Sequence, residues 1–253
     1  MTKVVFIVAD DLGLDISVNQ GIVYALKNKL VSGASIMVNG EQFSHAVELI
    51  ANLENPNIGI HFVLVGEKGL YLKELPKNYQ IFFLKYIFGL IKIEDIEKEL
   101  RAQLNKLLKA GIKPQFINSH QHLHLLPKVT DAVIKLAKEN NIKYIRTVGE
   151  PFSLKGGLLR SLESIFLALL SKLSRNKIKK AGLSTNDIFI GFLHAGNLQK
   201  KDVSLAYEIS NENPNKIIEL GAHPGFESTE LKEKYKNWGN YNWQKELDLL
   251  QKK

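Results

Sequence analysis

The segment from Gln115 to His124, QFINSHQHLH, joins a short apolar run to a tract that holds three of the chain's seven histidines. Such a run, bounded by turn residues, predicts a buried strand over 115–117. His120, His122 and His124 alternate along the chain, so in an extended strand they would share one face. Three imidazoles on a buried face need partners, because each ring has two nitrogens to satisfy. The segment therefore predicts a functional site at a strand end.

Two further fragments repeat this arrangement. Asp10 and Asp11 follow the apolar run 4–8, and His61 follows the run 57–60. Taken singly, the aspartates could cap a helix and His61 could be a hydrogen-bonded core histidine. Carboxylates and imidazoles at the ends of separate parallel strands, however, build the metal sites of α/β sheets and barrels. One carboxylate on a metal and its neighbour free as a base are what metal-assisted hydrolysis requires.

Strand-like runs alternate with helical patterns along most of the chain, which predicts an α/β fold with a mostly parallel sheet and helices outside it. About seven strands without a low-complexity linker favour one (β/α) barrel variant over residues 1–253, rather than two domains. Residues 67–86 are irregular. Because they follow the strand of His61, we expect them to lie over the active face.

Composition narrows the class of protein. The chain has 253 residues, 45% of them hydrophobic, and no cysteine, which excludes disulfides, thiolate nucleophiles and cysteine-ligated metals. No uncharged apolar run reaches the roughly 18 residues of a membrane span. The N-terminus enters a strand pattern at once, without a basic and apolar leader, so we expect a cytoplasmic protein.

The net charge of +8 is concentrated in residues 152–183, where Lys155 and six other basic residues stand against Glu163 alone. Such a stretch could contact phosphate, acidic lipid or nucleic acid. Nucleic-acid binding is not expected, because no aromatic interleaving and no finger or helix-turn-helix pattern is present. Apolar residues recur at helical spacing within 157–180, which predicts an outer helix packed on the sheet. The second hypothesis is a partly exposed helix that docks on an anionic membrane or a lipid-linked sugar.

Two later residues extend the predicted site. His223 ends a late strand, and Pro224 and Gly225 would fix a tight loop that presents it to the same face. Arg146 ends the strand-like run 143–145, where it could anchor the free aspartate or a substrate oxygen.

Taken in order, these motifs resemble the YdjC-like carbohydrate deacetylase family. The resemblance lies in ADDLGL at 9–14, GIHF at 59–62, NSHQHLH at 118–124 and AHP at 222–224. The segment 181–196 is similar to the branch of that family associated with hopanoid biosynthesis. The resemblance implies a barrel variant related to NodB-type polysaccharide deacetylases, which removes acetyl from N-acetylated sugars.

The resemblance also implies residue roles. Asp11, His61 and His120 match the metal ligands, Asp10 matches the catalytic base, and His223 matches a proposed acid. We assign Arg146, His122 and His124 to substrate binding. The chain departs from the family pattern at Asn118, where aspartate is usual, at Asp15, where serine is usual, and in 63–66, which lacks the usual threonine. These departures leave substrate specificity and metal preference open.

We therefore expect a hydrolase of linear amide C–N bonds that deacetylates an amino sugar with one divalent cation. Ligand preferences favour Zn, Fe or Mn, whereas the resemblance implies Mg. It also implies a homodimer and, from the hopanoid branch, a lipid-linked sugar. Two alternatives remain: a non-catalytic, metal-stabilised sugar-binding protein, and a metal-dependent phosphoesterase, which suits the basic excess but lacks a second carboxylate-rich metal site.

Overall fold

Short runs rich in valine, isoleucine and phenylalanine form one parallel sheet. The computed structural model describes residues 5–151, 157–239 and 241–252. Within them the strands are β1 (Val5–Leu12), β2 (Gly33–Ile36), β3 (Ile58–Phe62), β4 (Phe116–Ser119), β5 (Tyr144–Ile145), β6 (Ile188–Ile190) and β7 (Ile218–Ala222). Their order in the sheet is β5-β4-β3-β2-β1-β7-β6, and all neighbouring pairs are parallel. The predicted α/β class and number of strands are confirmed.

Helices connect the strands, and two more follow β7. The connecting helices are α1 (Ile16–Lys27), α2 (Phe43–Ala51), α3 (Tyr79–Ile87), α4 (Ile93–Lys109), α5 (Pro127–Glu139), α6 (Leu158–Lys180) and α7 (Lys200–Glu212); α8 (Thr229–Lys234) and α9 (Trp243–Gln251) come after β7. In α4 the buried residues Ile96, Leu100, Leu104 and Leu107 recur every three or four positions and form its inner face. None of the described helices is long and apolar enough to cross a membrane.

The sheet curls so that its two edges approach each other. The edge strands are β5 and β6. Backbone hydrogen bonds join these edges. Ser184 N donates to Lys143 O at 2.7 Å and Ile145 N donates to Ser184 O at 3.0 Å, while Phe189 N of β6 donates to Gly149 O at 3.2 Å. These bonds satisfy backbone groups that an open edge would leave exposed. The barrel variant predicted from the sequence is confirmed in this curled form.

A bulge ends the regular pairing of β1. Ala9 pairs with Ala34 and Leu12 with Ile36, so β1 has one residue more than β2 between these pairs. Asp11 lies in this bulge and adopts a left-handed conformation, with φ of 69°. This conformation is uncommon outside glycine, and bulges of this kind redirect side chains beside active sites. The bulge turns both aspartates towards β3, although neighbours on a regular strand would point apart.

The common face that an extended strand would give His120, His122 and His124 is not present. β4 ends at Ser119, and residues 120–125 form a 3₁₀ turn. Gln121 and His122 adopt left-handed conformations, with φ of 55° and 56°. The three histidines therefore do not share a face, because the turn sends each ring in a different direction.

The outer helix predicted over 157–180 is present as α6, but its orientation differs from the prediction. Serines such as Ser161 and Ser174 are buried, whereas most of the predicted apolar face points outward, with Leu159 79% exposed. Val4 and Lys155, which the sequence analysis placed in the first strand and in the basic stretch, lie outside the described residues.

The contact between α1 and the loop after β7 yields a stability prediction. A Cβ on Gly21 would lie 2.4 Å from the Cα of Gly225, in the loop that carries His223. We expect Gly21→Ala to lower the free energy of unfolding by about 1–3 kcal/mol, as overpacking against fixed atoms does. Urea denaturation measures this difference. Gln20→Ala, on an exposed position of the same helix, should leave stability nearly unchanged; equal stability of the two variants would contradict the close contact.

Candidate metal centre

Asp11 lies between two imidazoles at the carboxyl ends of the central strands. Its Oδ1 is 3.3 Å from His61 Nε2, at the end of β3, and 3.4 Å from His120 Nδ1, just after β4. All three residues are buried, and their three potential ligand atoms lie within 4.8 Å of one another. The structure thus brings together the three residues that were expected to bind metal.

Among the described residues, none donates a hydrogen bond of ordinary geometry to the Asp11 carboxylate. Both oxygens are buried, and neither has a hydrogen-bond partner among the described residues. Burial raises the pKa of Asp11, but His120 and His61 outweigh it and hold the pKa well below its ordinary value. An ionised carboxylate buried without donors is costly unless positive charge compensates it. One carboxylate and two imidazoles are a donor set that fits a divalent transition metal.

Asn118 and Ser35 fix the orientation of His61. His61 Nδ1 is 2.7 Å from Asn118 Oδ1, which can only accept, so Nδ1 carries the proton. Ser35 Oγ lies 3.0 Å from the same nitrogen. In the neutral form of the ring, Nε2 carries a lone pair that faces the Asp11 carboxylate. Two groups that each carry a lone pair face each other at this point, which a proton or a metal ion between them would stabilise.

Asp10, unlike Asp11, accepts several hydrogen bonds. Its Oδ1 accepts from Ser35 Oγ at 2.7 Å and Asn118 Nδ2 at 2.9 Å, and Arg146 donates to both of its oxygens. Burial raises the pKa of Asp10, but the Arg146 guanidinium holds it well below its ordinary value. Arg146 Nε also donates to Glu219 Oε1 at 2.5 Å. The expected contact between Arg146 and the free aspartate is present, in a buried Asp–Arg–Glu group.

His223 faces Asp11 from the end of β7. Its Nε2 is 4.0 Å from Asp11 Oδ2, and its side chain is slightly exposed. The backbone N–H of His223 donates to Glu246 Oε2 at 2.5 Å, and Nδ1 lies 3.9 Å from the same oxygen. Glu246 is fully buried on α9. This carboxylate therefore helps to hold the loop that carries His223, and His223 lies on the same face as Asp11, where the sequence led us to expect it.

A cavity of about 930 Å³ opens above these residues. Asp10, His61, His120 and His223 lie in its wall. Residues 77–80 also line it, so part of the irregular segment 67–86 lies over the active face as predicted. The cavity thus connects the Asp11 group with solvent, as an enzyme site requires.

An aromatic wall that the sequence analysis missed closes the other side of the cavity. Trp238 lies 4.9 Å from the His120 ring, and Tyr241 lies 5.3 Å from the His223 ring, measured between centroids. Both line the cavity together with Tyr235. The feature of the sequence that could have indicated this wall is the presence of four aromatic residues within 235–243. Such rings provide flat surfaces for the apolar faces of sugars.

The three residues assigned to substrate binding lie at two different depths. His122 lines the cavity between Phe189 and Phe192. Burial and the nearby Arg146 hold its pKa well below the ordinary value, so it is neutral. His124 is buried below, with Nδ1 2.6 Å from Ser119 Oγ and Nε2 2.8 Å from Arg146 O. Burial lowers the pKa of His124 to about 3. Both His124 and Arg146 therefore have protein groups as partners.

The chain is similar in sequence to a named protein. A protein of Clostridium beijerinckii (strain ATCC 51743 / NCIMB 8052) named carbohydrate deacetylase is 38% identical over 148 residues. The alignment covers 56% of this chain and 60% of that protein, so it spans less than two thirds of the relative's length. The two proteins are thus similar over part of their chains.

A solved structure resembles the whole fold. It is the 1.70 Å crystal structure of an Enterococcus faecalis V583 protein whose proposed role is cellobiose-phosphate cleavage. The TM-score is 0.75, with 97% of this chain and 89% of that chain covered, and the sequences are 20% identical. At that identity the similarity concerns the fold alone. The profile of the family described as YdjC-like protein matches residues 4–253. Because this match extends over nearly the whole sequence, the chain belongs to the YdjC-like protein family.

Proposed function

We propose that this protein is a metal-dependent hydrolase that removes the acetyl group from an N-acetylated amino sugar. The observation that carries the proposal is the buried Asp11 carboxylate, which has no hydrogen-bond donor in the described part of the chain and faces His61 and His120. These three residues would hold one divalent cation. The carbohydrate deacetylase named among the relatives supports the substrate class.

In this proposal Asp10 accepts a proton beside that centre. Arg146 keeps it ionised, while Ser35 and Asn118 fix its carboxylate plane. A cation bound at Asp11 would supply Lewis acidity, which would polarise the acetyl carbonyl and make water acidic enough for a weak base to deprotonate. Asp10 then takes a proton from the water whose oxygen forms a bond to the carbonyl carbon.

His223 is placed to serve the leaving group. It lies on the Asp11 Oδ2 side of the centre and borders the cavity. We propose that His223 donates a proton to the amide nitrogen as the C–N bond breaks, which leaves acetate and the free amino sugar. Glu246, beneath it, bonds the backbone N–H of His223 and so holds the loop that carries the imidazole.

The cavity supports recognition of a sugar larger than one ring. Its volume of about 930 Å³ lies near the top of the roughly 300–1,000 Å³ typical of small-molecule sites. Trp238 and Tyr241 would stack on sugar faces, and His122 would bind a polar group at the wall. Arg146 and His124 would act indirectly, because Arg146 positions Asp10 and His124 bonds the backbone of Arg146.

The identity of the metal, the location of the protein, its oligomeric state and its domain organisation remain predictions. Mg is the metal that the family resemblance implies, and Zn, Fe or Mn suit the donor set. A cytoplasmic location, a lipid-linked substrate, a homodimer and a single domain over residues 1–253 rest on the sequence alone. The phosphoesterase alternative would need a second metal group, and within the described residues one group has metal-binding geometry.

Removal of the metal or of a ligand should abolish activity. We expect acetate release from N-acetylglucosamine oligomers to stop with a chelator, to return with added divalent metal, and to be lost in Asp11→Ala and His120→Ala. An enzymatic acetate assay measures each case. Full activity in either variant would contradict the proposal. Measured sugar binding without acetate release across metals would favour the non-catalytic sugar-binding alternative, and an aryl phosphate assay tests the phosphoesterase.

The two carboxylates on Arg146 allow a matched test of the proposed base. Asp10→Asn should lower kcat by about 10²–10⁴-fold, the usual effect of losing a general base. Glu219→Gln removes the other carboxylate partner of Arg146, which lies outside the cavity lining, and should mainly lower thermal stability. Steady-state kinetics and thermal denaturation separate the two effects. Equal losses of kcat in both variants would show that Asp10 is only a counter-ion for Arg146.

A further inference from the structure

In the long helix α6, polar residues face the protein and apolar residues face solvent, which is the reverse of an ordinary surface helix. Its inward side carries serines that bond to neighbouring backbone: Ser171 Oγ accepts from Val148 N at 2.8 Å, and Ser174 Oγ donates to Leu125 O at 3.1 Å. Its outward side carries leucine, isoleucine and phenylalanine, with Leu158 70% and Leu169 60% exposed. Because the serine bonds fix the inward side, the apolar residues are held in solvent.

Helix α3 extends this apolar surface. The Phe83 and Phe166 rings pack edge to face with centroids 5.5 Å apart, and Tyr79 OH donates to Glu163 Oε1 at 2.5 Å. The outward apolar residues of 81–90 and 158–173 together form what we call the α3–α6 face. Twelve of its large apolar side chains are exposed, nine of them by more than half. Monomeric proteins seldom expose so large an apolar surface unless something covers it.

The charges around the α3–α6 face indicate what covers it. Residues 79–92 and 158–180 contain eight basic residues and one acid, Glu163, which bonds to Tyr79 and Arg160. Lys85, Lys92, Lys172 and Lys180 are exposed and have no ion pair among the described residues. A second copy placed on this face would bring lysines against lysines, which is unfavourable. An anionic lipid surface matches both the cations and the apolar residues.

The α3–α6 face also borders the cavity. Tyr79 and Gln80, at the start of α3, and Arg160, in the first turn of α6, line its wall. We propose that the α3–α6 face docks on an anionic membrane surface and holds the mouth of the cavity beside the lipid headgroups. The apolar residues enter the headgroup boundary, and the lysines contact lipid phosphates. The proposal rests on the described surface and does not require the proposed hydrolysis.

Vesicle flotation tests the docking. The full chain should bind vesicles of equal parts phosphatidylglycerol and phosphatidylcholine at low salt, and should bind less at high salt or to phosphatidylcholine alone. The double variant Leu159→Gln/Leu169→Gln should lower the partition coefficient by about tenfold or more, because apolar insertion is lost. Lys85→Glu/Lys172→Glu should lower it as well. Leu205→Gln, at an exposed apolar position on α7, is the matched control and should bind as the original does.

Three outcomes would overturn the proposal: no binding to anionic vesicles at low salt, equal binding by all variants, or a dimer in sedimentation velocity that Leu159→Gln/Leu169→Gln dissociates without any vesicle binding. The last would assign the face to a second copy. Acetate release from a soluble oligomer should be unchanged in all these variants, so failure of the docking can be distinguished from failure of the proposed activity.

Discussion

A carboxylate that is buried without a hydrogen-bond donor is the constraint on which the site depends. Asp11 reaches that position because β1 bulges and the residue accepts a φ of 69°. Around it, Asn118 turns His61 so that its Nε2 faces the carboxylate. An aromatic wall borders His120 on its other side. Strain, desolvation and facing lone pairs are each unfavourable alone, and a bound cation would compensate them together.

Neighbouring aspartates acquire different properties from their surroundings. Asp10 accepts hydrogen bonds from Ser35, Asn118 and Arg146, whereas Asp11 has no hydrogen-bond donor among the described residues. The amide at position 118 serves both sides, since its oxygen accepts from His61 and its nitrogen donates to Asp10. An ionised aspartate there could not donate to Asp10. The departure from the family pattern at Asn118 therefore keeps the orientation of His61 and adds a bond to Asp10.

Much of this arrangement could be predicted from the sequence, because strand ends and their polar residues leave local patterns. The seven strands follow from apolar runs that alternate with helical patterns, and the Asp and His residues after several of these runs predict a shared site. The choice of Asp11, His61 and His120 as metal ligands came from the family resemblance. The directions of His122 and His124 could not be predicted, since they depend on two left-handed residues with no glycine to mark them. The sequence could not decide between a packed and a partly exposed apolar face of α6, because periodicity shows that such a face exists but not which way it points. The serine bonds to Val148 and Leu125 decide that. The contacts of Trp238 and Tyr241 with the histidines depend on distant chain packing.

The metal content of the reconstituted protein tests the central claim most directly. After loading with a divalent metal and removal of the excess, elemental analysis should find about one ion per chain in the original protein and almost none in the isosteric variant Asp11→Asn, with both folded by circular dichroism. The account predicts this difference because Asp11 would lose its charge and keep its shape. An original protein that binds no metal, or an Asp11→Asn variant with equal occupancy, would contradict it.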